Sequence, residues 1–312
     1  MLGVVILVAM LLPFQPYLYI ILIMKMMCFA LLASSFNLLL GFAGLLSLGH
    51  AAFFGTAAYM TIYARAKWGI TPEIAVVLGT AISSALGYAI GSLAVRKKGI
   101  YFAMITLAFA QMIFFLAIKL PQTGGEDGLR AQRGALGGVV DLSNDTAMYY
   151  FVLVCFVAGL ALTHRIVNSP FGEVVRAIRE HEPRAISLGH DVAAFKRTIF
   201  TISAGLAGLA GSLEALVFQL ASLSGLDWHT SGDVVVMTFL GGVGTLSGPI
   251  VGAALVVGLQ HSLATMGSWS AIANGLIFMA CVLTFKRGLV EALRSAVTGL
   301  LHRGGLKEGR SL

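Results

Sequence analysis

From Val234 to Phe285 the chain carries no Asp, Glu, Lys or Arg. Further runs without those residues are Met1 to Met24, Met26 to Ala64, Ile74 to Val95, Gly99 to Ile118, Thr146 to His164 and Thr198 to Leu213. A helix needs roughly 20 apolar residues to cross a bilayer core of about 30 Å. Only helices or closed barrels satisfy every backbone polar group there. The expected fold is therefore all-α: a polytopic integral membrane helical bundle with about eight or nine crossings. Composition agrees, at 58% hydrophobic and 11% charged residues, against about 25% charged in a soluble domain. The first apolar segment lacks a positive leader and a small-residue cleavage site, so it is expected to be the first helix.

The net charge of +7 would suggest nucleic acid in a soluble chain. Here the basic residues sit in loops, where they set topology, and no nucleic-acid partner is expected. Arg96-Lys97-Lys98, the loop 165–197 and the tail after Lys286-Arg287 are basic clusters and mark the cytoplasmic side. Loops 121–146 and 223–232 then fall outside by alternation. Arg65 and Lys67 also fall outside, a mild conflict. Lys25 is expected to snorkel to the outer interface. Cys28, Cys155 and Cys281 lie far apart in apolar runs and read as small core residues, with no metal site.

Two Gly-rich breaks interrupt the apolar runs. Leu40–Ser47 and Leu240–Ser247 share the pattern L-G-x-x-G-x-L-S. The match has two explanations: chance in a chain of 37 glycines, or two related halves that each place a broken or re-entrant helix at one pathway. Segment 233–264 is too long for one crossing and is expected to go in and come back. Asn37, Ser47 and His50 flank the first break; Thr238, Thr245 and Ser247 flank the second. These six are candidate pathway residues, against the plainer alternative of hydroxyls bonded to their own helix and a packed histidine. Glu214 is an acid within a membrane segment, which marks it for function. Asp233 is expected to cap a helix from Val234. Gly87/Gly91, Gly205/Gly208/Gly211 and Gly248/Gly252 mark close helix contacts.

The longest polar stretch is Ser169 to Arg197, SPFGEVVRAIREHEPRAISLGHDVAAFKR. With Arg165 it holds six Lys or Arg and four Asp or Glu. Ser169-Pro170 fits a helix start, Pro183 interrupts, and Gly189 fits a left-handed cap. An amphipathic loop resting on lipid headgroups would explain it, and so would a surface that grips a cytosolic partner. There is no GxxxxGK[ST] loop, no HExxH and no nucleophile with its base, so an enzyme has little support.

The spacing Glu182-x-x-Ala185-x-x-x-Gly189 resembles the cytoplasmic coupling loop of ABC-importer permeases. The strings Phe36 to Met60, Gly205 to Leu216 and Trp228 to Leu255 resemble further signatures of the permeases for branched-chain amino acids. The likeness runs over roughly residues 20 to 292 and is greater to the larger of that family's two permease subunits. Asp233 stands where Glu is expected, Glu214 where an aromatic is common, and His181 and Pro183 are less typical. The resemblance implies a permease domain over 1–292, with the coupling loop at 165–197 and a cytoplasmic tail at 293–312. It implies that Arg176, Arg179, Glu180, Glu182, Ala185 and Gly189 serve ATPase coupling. The chain itself would bind no cofactor. Two cytosolic ABC ATPase subunits would use ATP, beside a second related permease chain and an external solute-binding protein, in and around a bacterial inner membrane. The same machinery could serve urea, an amide or another small polar solute. A different class, an ion-coupled secondary transporter, would rely on Glu214.

Overall fold

The computed structural model describes residues 18–137 and 140–263, with 272, 275, 276 and 279. Its packing is organised by small residues. Helix α1 spans Leu18–Asn37 and runs into a π-turn at Leu38–Phe42. Helices α2 (His50–Trp68), α3 (Pro72–Ala94), α4 (Ile100–Lys119) and α5 (Asp145–Val167) follow. Two short surface helices, α6 (Pro170–Glu180) and α7 (Glu182–Ser187), precede the long α8 (Val192–Phe218). Helices α9 (Trp228–Gly241) and α10 (Gly248–Leu263) complete the described bundle.

Helix α8 lies against α1, α2 and α3. A Cβ at Gly208 would stand 2.6 Å from Ser83 Oγ, and one at Gly211 would meet the Phe54 carbonyl. Gly87 and Gly91 face Ala204 and Phe200 from the other side. Lipid tails are as apolar as leucine, so membrane helices associate by such close packing rather than by leaving water. Hydroxyls then bond across the seams: Ser83 Oγ to the Ala204 carbonyl at 2.8 Å, and Thr61 Oγ1 to Ser212 Oγ at 2.9 Å.

Five segments are long and apolar enough to cross a membrane: Ile20–Phe42, Pro72–Ala94, Ile100–Lys119, Asp145–Val167 and Val192–Phe218. The chain is thus a polytopic all-α bundle. The expected count of eight or nine crossings also covers residues outside the described ones; among the described residues the less apolar α2 and the shorter α9 and α10 stand beside these five. Helices α9 and α10 form an antiparallel hairpin: a Cβ at Gly252 would meet the Met237 carbonyl, and one at Gly241 the Gly248 carbonyl. The first helix expected before residue 18, Cys281 and the tail 293–312 lie outside the described residues. Cys28 is buried, Cys155 is half-buried, and both are free.

The loop 121–146 is joined to the chain just ahead of the loop 223–232. β1 (Leu129–Arg130) pairs antiparallel with β4 (Leu220–Ala221), Leu129 opposite Ala221, and β2 (Ala135–Leu136) pairs with β3 (Val140–Asp141). The misfit of Arg65 has a physical cause. Its guanidinium donates to the carbonyls of Ile70 and Gln132, so it serves the C-terminal end of α2, where cations are favoured. Lys25 has neighbours of its own. It is half-buried with its ammonium 5.7 Å from the centre of the Phe29 ring, in electrostatic reach of Glu214 and Asp233.

Candidate functional site

The two Gly-rich breaks meet. A Cβ at Gly41 would lie 2.6 Å from the Gly244 nitrogen, so backbone passes backbone with no room for a side chain. Asn37, at the end of α1, donates from Nδ2 to the Thr245 carbonyl and accepts at Oδ1 from the Gly244 N–H, both at 2.8 Å. A carboxamide can do both at once because it carries a donor and an acceptor side by side. The pattern shared by Leu40–Ser47 and Leu240–Ser247 thus occupies two segments in contact.

The other candidates mostly support these breaks. Ser47 Oγ accepts from the Gly49 N–H at 3.3 Å, at the start of α2. Thr245 Oγ1 donates to the Gly242 carbonyl and accepts from the Gly248 N–H, capping α10. Thr238 Oγ1 bonds back to the Val234 carbonyl at 2.9 Å. Ser247 precedes α10 and its carbonyl accepts from the Val251 N–H. His50 is buried between the edges of Phe36 and Phe53, with Nε2 2.9 Å from Ser203 Oγ. Ser203 donates its own hydrogen to the Ser35 carbonyl, which leaves its oxygen free to accept from His50.

Glu214 is half-buried in the last turns of α8, toward Lys25. Asp233 does not cap a helix. Helix α9 starts at Trp228 and not at Val234, and Asp227 is the cap, accepting from the His229 N–H. Asp233 lies in the second turn and accepts from Gln260 Nε2 at 3.1 Å, joining α9 to α10.

At the other end, α6 begins as its sequence suggests. Ser169 caps it through the Gly172 N–H and Pro170 occupies the first turn. Its buried face presents Val175 and Ile178. Helix α7 ends in a Schellman motif: the His190 N–H bonds the Ala185 carbonyl, the Gly189 N–H bonds that of Ile186, and Gly189 has φ +84°. Ala185 is buried with Ile178 and Val192, which fastens α7 to α6 and to α8. Glu182 pairs with Lys98 at 2.9 Å and Lys196 at 3.1 Å. Burial alone would raise its carboxyl; the hydrogen bonds and charges of the two lysines outweigh this and hold it below the usual carboxylate range.

The two arginines of α6 turn toward the bundle. Arg176 Nη2 donates to the Val167 carbonyl at the end of α5, at 2.7 Å. Arg179 Nη1 donates to the Gly41 carbonyl in the first break. Glu180 and Gly189 are exposed. A groove remains open along Val174, Ala177, Arg184 and Leu188. Beside it Leu188 is 70% and Ile186 57% exposed, on a surface otherwise polar. Among the described residues no group of His, Cys, Asp or Glu is arranged to hold a metal ion.

Known proteins resemble this sequence. Residues 18–285 match the family described as branched-chain amino acid transport system, permease component. The high-affinity branched-chain amino acid transport system permease protein LivM of Salmonella typhimurium (strain LT2) is 27% identical over 292 aligned residues, 86% of this chain and 69% of the relative. The protein of the same name in Escherichia coli (strain K12) is 26% identical with the same coverage. The fructose import permease protein FrcC of Rhizobium meliloti is 24% identical over 69% of this chain and 63% of its own length. No solved structure matches the chain. With that match spanning nearly all of the bundle, the chain belongs to the family of permease components of branched-chain amino acid transport systems, multi-pass proteins of the inner membrane.

Proposed function

We propose that the chain is the membrane-spanning subunit of an ATP-driven importer that moves branched-chain or related amino acids inward by alternating access. The observation that carries this is the α6–α7 surface. It is a helix pair outside the apolar spans, pinned to the bundle by Ala185, Arg176 and the Glu182 ion pairs, that nevertheless exposes Ile186 and Leu188 beside an open groove. Exposed apolar groups rimmed by charge mark a contact surface. The partner is a cytosolic ABC ATPase, which takes such a helix pair in a groove of its own.

Two ATPase subunits, a second related permease chain and an external solute-binding protein complete the machine. ATP acts in the partners; this chain supplies the path and no catalytic group. The relatives named for branched-chain amino acids support that solute. A fructose import permease among the relatives supports a second reading, in which the same machinery carries another small polar solute. The binding protein would then set the choice.

The test is a mild-detergent purification from native membranes. An ATPase with a phosphate-binding loop should co-purify, and Leu188→Glu should release it. Uptake that needs no ATPase and follows an ion gradient would overturn the proposal and direct attention to Glu214.

A further inference from the structure

The paired breaks are bonded to each other and, through one side chain, to the helix on the surface. Asn37 closes two hydrogen bonds across the junction, to Gly244 and Thr245. The Gly41 carbonyl lies in the π-turn at the end of α1, and it accepts from Arg179 of α6. The stem of Arg179 lies against Gly44, which has φ +70°; a Cβ there would stand 2.9 Å from Arg179 Cγ. A residue of positive φ suits glycine, and here its missing side chain also leaves space for the arginine.

The arginine is otherwise exposed. Its guanidinium nevertheless reaches a part-buried bond to the Gly41 carbonyl, and its stem fills the space over Gly44, so α6 bears on the π-turn through both. Arg176, three residues earlier, is fixed to the end of α5 instead. Helix α6 therefore touches the membrane helices at two kinds of point: one anchored to a helix end and one resting on the junction of the breaks.

We propose that Arg179 is a positioning residue that transmits displacement of α6 to the paired breaks. When the partner ATPase moves α6, the Arg179–Gly41 bond carries the movement to the π-turn. The Asn37 bonds carry it on to Gly244 and Thr245, so both breaks respond as one unit. Arg179 thus acts on the pathway side of α6 and not on its ATPase side. This rests on the reading of the chain as an ATP-driven permease.

The test uses the intact complex in native-membrane detergent, so that no solute need be known. One cysteine is placed on each break, Ala43→Cys and Val243→Cys, with Cys28, Cys155 and Cys281 replaced by alanine. Cross-linking rate is read with and without magnesium-ATP and vanadate. Nucleotide should change the rate about tenfold in the parent, within the usual range of coupling between sites. In Arg179→Ala that change should vanish while the ATPase still co-purifies and hydrolyses ATP. Arg179→Lys, which keeps the stem and a cationic donor, should recover part of it.

A full nucleotide response in Arg179→Ala overturns the inference and leaves the permease reading intact. Loss of the ATPase from Arg179→Ala alone makes Arg179 a docking residue, which also overturns it. Loss of folded protein in both Arg179 variants, judged by size exclusion, makes it a folding residue and overturns it too. No ATPase with the parent itself overturns both readings together.

Discussion

Arg133 and Arg179 are both arginines that serve backbone carbonyls, at opposite ends of the bundle. Arg133 is only 5% exposed and has three partners: the carbonyls of Leu216 and Val217 and the carboxylate of Asp145 at 2.6 Å. It closes the C-terminal end of α8 and ties it to the start of α5. Arg179 is exposed and donates to the single carbonyl of Gly41. The same guanidinium is a fixture in one place and a movable contact in the other. What differs is desolvation: a buried cation without its partners has nowhere to turn, whereas an exposed one has water.

The largest effect is therefore expected at the fixture. Arg133→Ala should cost about 3 kcal/mol of stability, the low end for breaking a buried pair, because Asp145 keeps some access to water. Thermal unfolding in detergent reads this directly. Arg133→Lys should not restore it, since an ammonium cannot serve three acceptors in a planar fork. Arg179→Ala should leave the melting temperature nearly where it was. Equal melting losses for the two alanine variants would erase the distinction between lock and movable contact.

The next effect concerns the junction that Arg179 touches. Gly41→Ala would bring a Cβ to 2.6 Å from the Gly244 nitrogen and 2.9 Å from its Cα. Backbone cannot give as a flexible side chain can, so the two breaks must part. The expected cost is about 1–3 kcal/mol, the usual range for overpacking, with transport lost out of proportion to folded yield. A Gly41→Ala chain that transports like the parent would mean that the junction has slack and that Arg179 rests on nothing firm.

Parts of this are legible in the residues and parts are not, for physical reasons. The helical spans follow from charge-free length, and the start of α6 follows from Ser169-Pro170, because these signals are local. The contact between the breaks leaves a trace in the pattern L-G-x-x-G-x-L-S, though pattern alone does not bring two segments together. The inward turn of Arg179 leaves none. Its acceptor is a main-chain carbonyl 138 positions away, and every residue has a carbonyl. The cap of α9 is ambiguous in the sequence because Asp227 and Asp233 are both acids ahead of apolar residues. Only the fold shows that Asp233 faces Gln260. The basic residues on the wrong side for topology are explained at Arg65 by the end of α2, where a helix recruits a cation whichever side it faces.

A smaller effect is expected at Gly189. Nothing lies within 4 Å of a Cβ there, so its constraint is φ alone, at +84°. Gly189→Val should cost about 1–2 kcal/mol locally and disturb α7 without disturbing the breaks. Gly189→Asn should cost less, since asparagine tolerates the left-handed region. In the cross-linking measurement Gly189→Val should weaken ATPase binding while the unliganded rate stays that of the parent. A changed unliganded rate would place α7, and not Arg179 alone, on the route to the junction.

The last effect is at Glu182, which is half-buried and pairs with one exposed and one buried lysine. Its carboxyl is held below the ordinary value of 4.5 by Lys98 and Lys196. The folded chain therefore binds that proton less readily than the unfolded one. The stabilisation is complete above about pH 4.5 and drains away as pH falls through the lower folded value. Lys98 is largely exposed, so its pair is worth only about 0.2–1 kcal/mol; Lys196 is only 9% exposed, and its pair is screened less. Glu182→Gln should lower the melting temperature slightly at neutral pH, and the gap to the parent should close as pH falls through the lowered carboxyl value. High salt should shrink the Lys98 part of it, because that exposed pair is screened. A gap that persists in acid would assign the effect to packing of α7 against α8 and not to charge. Ion pairing would then distinguish neither end of the bundle, and burial alone would separate the fixture at Arg133 from the movable contact at Arg179.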